Sequence, residues 1–357
     1  MNKTLITTDW HIGITIGDYD RKDDVNNSIQ QIKDIVVKEK PDTLVHCGDV
    51  FHSNRNLSEN INVFIEFCHF LKAHNVVGYF LVGNHDLVEQ VGKTHALDID
   101  IEGIHIIDEI TQVEDYLFIP HISRSKSNKT PEELLEELAI RVDAGAEKFW
   151  VFAHCNVAYF ELPDQVILKF NHHALPQKLI ESDNVNAIFD GHYHKTQDGL
   201  GSQDNFYFVG TPQTFSMEEK DDAKRVMMLD GGVVTSIPLT ATVFKEYYLD
   251  FVADYDKAFA TFNEFINAPN AFRNYFVKIV GRINEADLVK IDMVALRKVL
   301  GGHVAYLYNP QLSIVREKKY RLAELGSGDT PDKAIEKFCE KYNRGDLVEL
   351  AKSYIGA

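Results

Sequence analysis

Leu81-Val82-Gly83-Asn84-His85-Asp86-Leu87 is the stretch whose reading decides the fold. The apolar run Val77–Val82 predicts a buried strand, and it stops abruptly at Gly83. Glycine permits a sharp turn and a close approach of backbone to a ligand. An amide oxygen, an imidazole and a carboxylate then follow at one strand end. In open α/β sheets the carboxyl ends of strands are where ligands bind.

Working outward, the same event recurs. Lys3–Thr8 predicts a strand ending in Asp9-Trp10-His11, and Thr43–Cys47 one ending in Gly48-Asp49-Val50-Phe51-His52. Phe149–Ala153 ends in His154, and Ala187–Phe189 in Asp190-Gly191-His192-Tyr193-His194. Between the first strands, Lys22–Lys40 and Leu57–Ala73 carry apolar residues at helical spacing. Strand, helix, strand at this spacing implies parallel pairing with crossover helices, and one parallel sheet would bring all five ends to one edge. The ligand chemistry of Asp, Asn and His without thiolate suits paired manganese or iron, with zinc a less selective fit. Two such ions activate a water and clamp phosphoryl oxygens, and Asp49 has the two oxygens needed to bridge them.

The remainder of the first 240 residues reads as further strands at Ile104–Ile107, Val113–Ile119, Phe206–Val209, Arg225–Leu229 and Val233–Pro238. A polar loop at Pro120–Pro131 is followed by a helix that Thr130-Pro131-Glu132-Glu133 should start. Asn156–Ser182 has no regular pattern, and its His172-His173 pair is expected to face solvent. From Ala241 the grammar changes to a compact α+β unit: a strand at Phe244–Phe251, a helix at Tyr255–Ile266, a strand at Tyr275–Val280, a helix at Ala286–Leu300 and a strand at Val304–Tyr308. Arg316–Arg321 is a basic connector, and Thr330–Ile355 reads as two short amphipathic helices. The expected domains are therefore 1–240, 241–325 and a helical tail, 326–357.

At 357 residues, 45% hydrophobic and 25% charged, the chain has the composition of a globular protein. No apolar run approaches the roughly 20 residues that cross a bilayer. Four scattered cysteines without a Cys-x-x-Cys pair argue against a zinc ribbon or disulfide framework and point to the cytoplasm. The formal charge of −17 opposes a nucleic-acid partner unless local cations reverse the field. Two divalent ions, with Arg55, Arg124, Lys126 and Lys129, would supply that reversal at the active edge.

The ordered set Asp-x-His, Gly-Asp, Gly-Asn-His-Asp, His and Gly-His-x-His resembles the calcineurin-like metallophosphoesterases. Gly48-Asp49-Val50-Phe51-His52-Ser53-Asn54-Arg55 is similar to a segment of the SbcD-type DNA-repair nucleases, as is Gly210-Thr211-Pro212 followed by Phe215-Ser216. The resemblance implies an α/β sandwich of β-sheets flanked by helices, with a capping domain and an ATPase-binding tail. It also implies a manganese-dependent nuclease, with magnesium or another divalent ion as the alternative. Asp9, His11, Asp49 and His194 would hold one metal, and Asp49, Asn84, His154 and His192 the other. His85 would be catalytic, oriented by Asp86, and His52 would sit beside the substrate phosphate. Arg55, Arg124 and Lys126 would meet DNA. The implied partners are DNA and an SbcC-type ATPase, with a homodimer inside a heterotetramer and no membrane. The fourth motif departs from the pattern, reading Phe152-Ala153-His154-Cys155 without a glycine or second histidine, which leaves Cys155 as an alternative ligand to a buried small hydrophobe. Two rivals stand beside the nuclease: a phosphatase of phosphoproteins or small esters, and a scaffold without catalysis. Phosphoprotein phosphatases of the superfamily continue Gly-Asp with x-x-Asp-Arg-Gly, where this chain has Val50–Asn54.

Overall fold

The computed structural model describes residues 2–53, 58–90, 93–122, 129–157, 173–316, 330–341 and 345–348. Its larger unit holds residues 1–246 with the segments 272–278 and 303–307. Most of the strands there form two six-stranded sheets, so the strand ends that carry the candidate ligands come from two sheets and not, as expected, from the edge of one. In the first sheet, Thr4–Thr7, Thr43–His46, Val77–Leu81 and Ile104–Ile107 run parallel in that order. Arg225–Asp230 and Val233–Pro238 extend it antiparallel beyond Thr4–Thr7. In the second, Tyr116–Ile119, Phe149–Ala153, Val185–Asp190 and Gln203–Phe208 are parallel neighbours. Thr111–Val113 and Gln197–Leu200 flank them antiparallel. The chain passes from one sheet to the other between Ile107 and Thr111.

Alternation along each strand builds three apolar layers, because successive side chains point to opposite faces. Leu5, Leu44 and Phe80 face a cluster that includes Val25, Ile29, Ile32 and Val36 of the Lys22–Glu39 helix and Phe64 and Phe67 of the Ser58–Ala73 helix. Their neighbours Ile6, Val45 and Leu81 face the other way, into a layer shared with Phe118, Phe152 and Phe189 of the second sheet. Leu117, Val151 and Ile188 pack on the far side against Leu135, Leu138 and Val142 of the Pro131–Ala144 helix. The expected α/β sandwich of sheets flanked by helices is what the chain forms. Between the sheets Phe118, Phe152, Phe189 and Tyr207 stand on paired strand positions with successive ring centroids 5.4 Å apart.

Helix ends follow local chemistry. Thr130 accepts from the Glu133 backbone N–H while the Glu133 side chain accepts from the Thr130 N–H, a complete capping box with Pro131 at the first helical position. The Lys22–Glu39 helix opens with Asp23 and Asp24 and ends at Lys40 in the left-handed region, just before Pro41.

The second unit holds residues 247–271, 279–302 and 308–357. Asp254 caps the Tyr255–Asn267 helix, which buries Phe262 and Phe265. The single helix expected over Ala286–Leu300 is broken: a 3-10 segment spans Glu285–Lys290, and an α-helix runs over Met293–Gly301. The carboxylate of Asp292 explains the break, since it accepts from the Val294 and Ala295 N–H groups and so caps a new helix inside the apolar period. Gln311–Val315, absent from the expected strands, pairs parallel with Val280–Asn284. The tail forms a helix at Pro331–Lys341 and a 3-10 turn at Gly345–Leu347. No helix among the described residues is long and apolar enough to cross a membrane.

Candidate metal centre

Both sheets deliver strand ends to one place. The Asp9 N–H donates to the Gly48 carbonyl and the His11 N–H to that of Asp49, which ties the first two ends together. The His121 N–H donates to the Val82 carbonyl, so the second sheet's Tyr116–Ile119 strand end is tied to the first sheet. His154 closes the set, with its Nδ1 bonded to the Cys47 carbonyl at 2.7 Å.

Two groups of side chains result. In one, His11 Nε2 lies 3.0 Å from His194 Nε2 and 3.8 Å from both Asp9 Oδ1 and Asp49 Oδ2. In the other, Asn84 Oδ1 lies 3.1 Å from His154 Nε2 and 3.0 Å from His192 Nδ1, and Asp49 Oδ2 lies 3.4 Å from His154 Nε2. Asp49 Oδ2 therefore belongs to both groups, and Asp49 Oδ1 accepts the His85 N–H at 2.8 Å. Asp9, His11, Asp49, Asn84, His154, His192 and His194 all converge.

The donor set fits a pair of divalent ions. Asp9 Oδ2 is engaged by Thr8 and by the His192 N–H, while Asp9 Oδ1 is buried without a hydrogen-bond partner and faces His11. A buried orphan oxygen costs about 1–3 kcal/mol unless a cation or proton meets it. The backbone bears the same mark. Asp9, His11, Asp49 and His192 sit at φ of 49°, 46°, 55° and 66°, the left-handed region that costs a non-glycine residue about 1–2 kcal/mol. Strain of this kind clusters where function demands it.

Electrostatics hold the shared Asp49 carboxylate charged among imidazoles, whereas burial raises the Asp9 pKa above the ordinary carboxylate range. Burial alone would raise the Asp49 pKa, but His154, His11 and His85 hold it below the ordinary carboxylate range. Burial opposes a charge on His154, yet Asp49 and Asp9 carry its pKa to about 10. Burial pushes His11 well below its usual value and His192 to about 4, which leaves both as neutral donors.

Gly83 is where close approach is obligatory. A Cβ there would stand 2.1 Å from Asp49 Oδ1 and 2.3 Å from the Asp49 backbone nitrogen. Gly83→Ala is therefore expected to displace the shared carboxylate and to lower the number of bound divalent ions per chain, counted by elemental analysis after dialysis. Full retention of the wild-type count would show that the turn yields without moving Asp49.

Beside the two groups, His11, His52 and His85 bring one ring nitrogen each within 4.8 Å of one another. The His52 and His85 rings are stacked at 5.4 Å. Here an expectation is corrected. Asp86 does not orient the His85 ring; it is fully buried and accepts from the N–H groups of Gly83, Val50 and Phe51. The His85 Nδ1 instead bonds the His52 carbonyl at 2.8 Å. A short carboxylate one residue along a tight turn points at the backbone it caps rather than at its neighbour's ring.

Arg55, Arg124 and Lys126 lie outside the described residues, as does His172. Lys129, just before the Thr130 cap, pairs with Glu137 of the Pro131–Ala144 helix. Cys155 is buried in the apolar layer behind the second sheet, so the small-hydrophobe alternative is the observed one. His173 is buried rather than solvent-facing: its Nε2 bonds the Ile122 carbonyl and its ring stacks on His121 at 4.1 Å. His121 escaped the sequence pattern although its position repeats it, two residues after the Tyr116–Ile119 strand end. Its ring centroid lies 6.4 Å from that of His154, and burial takes its pKa to about 3. The signal was an apolar run ending in Pro120-His121, masked by the polar loop behind it.

A family model described as calcineurin-like phosphoesterase matches residues 3–196. A DNA double-strand break repair protein Mre11 from Methanococcus maripaludis is 26% identical over 228 residues, 61% of this chain and 59% of that protein. The protein of the same description from Methanocaldococcus jannaschii is 25% identical over 122 residues, 33% of each chain. The chain thus spans well under two thirds of the length of these curated relatives. Among solved structures, a dimetal phosphatase from Danio rerio is 15% identical, covers 67% of this chain and 99% of its own, and superposes with a TM-score of 0.43.

Proposed function

The chain belongs to the calcineurin-like phosphoesterase family, and from that premise we propose that it is a metal-dependent DNA nuclease, the SbcD-like subunit of a break-repair complex. The observation that carries this reading is the His52–His85 pair beside Asp49, with His52 on the Val50–Asn54 segment where the phosphoprotein phosphatases have another sequence. The names of the two Mre11 relatives agree with it. Manganese is the ion proposed, an SbcC-type ATPase the partner, and a homodimer within a heterotetramer the assembly. Domains at 1–240, 241–325 and 326–357 would serve as nuclease, cap and ATPase-binding tail.

Asp9, His11, Asp49 and His194 would hold one divalent ion, and Asp49, Asn84, His154 and His192 the second. Bound there, the pair supplies Lewis acidity toward phosphoryl oxygens and a water acidic enough to attack near neutral pH. The chain's own residues do the rest. The His52 carbonyl accepts only from a protonated Nδ1, so it fixes the His85 ring and leaves Nε2 as the nitrogen open to substrate. From there the ring is placed to donate a proton to the leaving 3′ or 5′ oxygen, or to hydrogen-bond an oxygen of the scissile phosphate. His52, stacked alongside, borders the same phosphate.

The test compares metal-loaded and chelated protein on linear duplex DNA, a chromogenic phosphodiester and a phosphomonoester. Manganese-dependent cleavage of the DNA and the diester is expected. Hydrolysis of the monoester alone would overturn the nuclease in favour of a phosphatase, and hydrolysis of none would favour the scaffold. Truncation after Gly326 is expected to leave diester hydrolysis near its full-length rate while abolishing co-purification with the ATPase; unchanged co-purification would refute the tail's proposed role.

A further inference from the structure

Beyond the ligand pair His192 and His194 the chain carries Gly210-Thr211-Pro212 and Phe215-Ser216, whose polar side chains take no place among the metal-facing groups. They converge instead on one buried carboxylate. Glu219 Oε2 accepts from Thr211 Oγ1 at 2.9 Å, from the Phe215 N–H at 3.4 Å and from Lys224 Nζ at 2.6 Å. Glu219 Oε1 accepts from Ser216 Oγ at 2.9 Å and faces His194 Nδ1 at 3.6 Å, an ion-pair contact rather than a completed hydrogen bond. Lys224 Nζ, also buried, donates to the His194 backbone carbonyl at 3.1 Å and to Asp222 at 2.9 Å. Asp222 in turn accepts from the Thr196 N–H and hydroxyl. One buried ion pair therefore grips the last ligand twice, at its ring and at its peptide.

The contrast with the other group is chemical. The nitrogen of His154 turned away from the centre meets a neutral carbonyl, that of Cys47. The corresponding nitrogen of His194 faces a carboxylate whose remaining lone pairs are saturated, so its only free direction is toward the ring. A carboxylate there favours the Nδ1–H tautomer, directs the Nε2 lone pair at the centre and makes it more basic. His194 Nε2 does point inward, 3.0 Å from His11 Nε2.

We propose that Glu219, backed by Lys224, is a positioning residue that sets ion affinity at the Asp9–His11–His194 subsite and leaves the Asn84–His154–His192 subsite unchanged. The inference rests on the two-metal reading, and its test separates the two.

Glu219→Gln keeps the shape, and Lys224 retains Asp222 as its counter-ion, so no buried charge is stranded. Calorimetric titration of the metal-stripped full chain with Mn²⁺ should give two ions in the wild type. In the variant, one ion should bind roughly 10- to 100-fold more weakly and the other as before. Combined with His192→Asn, the substitution should weaken the surviving ion by the same factor; combined with Asp9→Asn, it should add nothing to the ion that remains. Ser216→Ala, a milder loosening of the same carboxylate, should shift the same ion in the same direction by a smaller factor, and it serves if Glu219→Gln does not fold. Two ions bound by Glu219→Gln at wild-type affinity would overturn the inference and leave the metal centre standing. Equal weakening of both ions would also overturn it, by showing a general structural role. A wild type that binds no ion would remove the two-metal reading itself.

Discussion

Asp49→Ala is expected to strip both ions and to lower diester cleavage by at least about 10³-fold, more than the loss of any ligand that serves one ion. Its Oδ2 belongs to both side-chain groups, 3.8 Å from His11 and 3.4 Å from His154, so its loss removes the carboxylate the two groups share. Metal ions of this kind supply several kcal/mol of transition-state stabilisation, and each 1.4 kcal/mol or so is a factor of ten in rate. Asp9→Ala and His154→Ala should instead leave about one ion per chain and more residual activity. The measurement is metal content beside single-turnover cleavage of the same preparation. If Asp49→Ala keeps two ions, or if the chelated wild type cleaves as well as the loaded one, the shared-carboxylate mechanism is wrong.

His85→Ala should separate binding from chemistry. Its ring reaches the His52 carbonyl through Nδ1 and stands 4.9 Å, centroid to centroid, from the ring of His11. Its backbone N–H, which alanine retains, is what holds Asp49 Oδ1. The variant should therefore bind two ions and DNA nearly as the wild type does, yet lose about 10²- to 10⁴-fold in the cleavage step, the usual contribution of a positioned acid. Lost metal together with lost activity would make His85 a builder of the loop rather than a participant in the reaction. Retained metal with near-normal turnover would deny it any role.

The residues that meet at the centre were legible because each is announced locally. A run of apolar residues predicts a strand, and Asp, Asn or His immediately after it, in places behind a glycine, marks where it ends. Both signals lie within a few residues of each other, as at Gly48-Asp49 and Gly83-Asn84-His85. Parallel strands then place such ends on a common edge within each sheet, and the packing of the two sheets brings the two edges together. The helix starts were local too: the Thr130 and Glu133 capping box needs only the four residues that form it.

Tertiary structure decided everything that depends on which distant segment lies alongside. A strand buried on both faces carries no mark of its neighbour, so Tyr116–Ile119 and Phe149–Ala153 were indistinguishable in sequence from strands of the first sheet. The polar edge strand Gln197–Leu200 has no apolar alternation to announce it, and it exists because Gln203–Phe208 offers its backbone. Side-chain partners are equally non-local. His85 is oriented by a carbonyl 33 positions earlier rather than by adjacent Asp86. His173 is buried because the His121 ring is there to receive it. Glu219 meets His194 from 25 positions further along the chain, through a turn that Thr211 and Ser216 help to hold. Sequence carries the chemistry of each side chain and the period of each element. A contact also requires the path of the chain between its two ends, and that path is set by the burial of the whole.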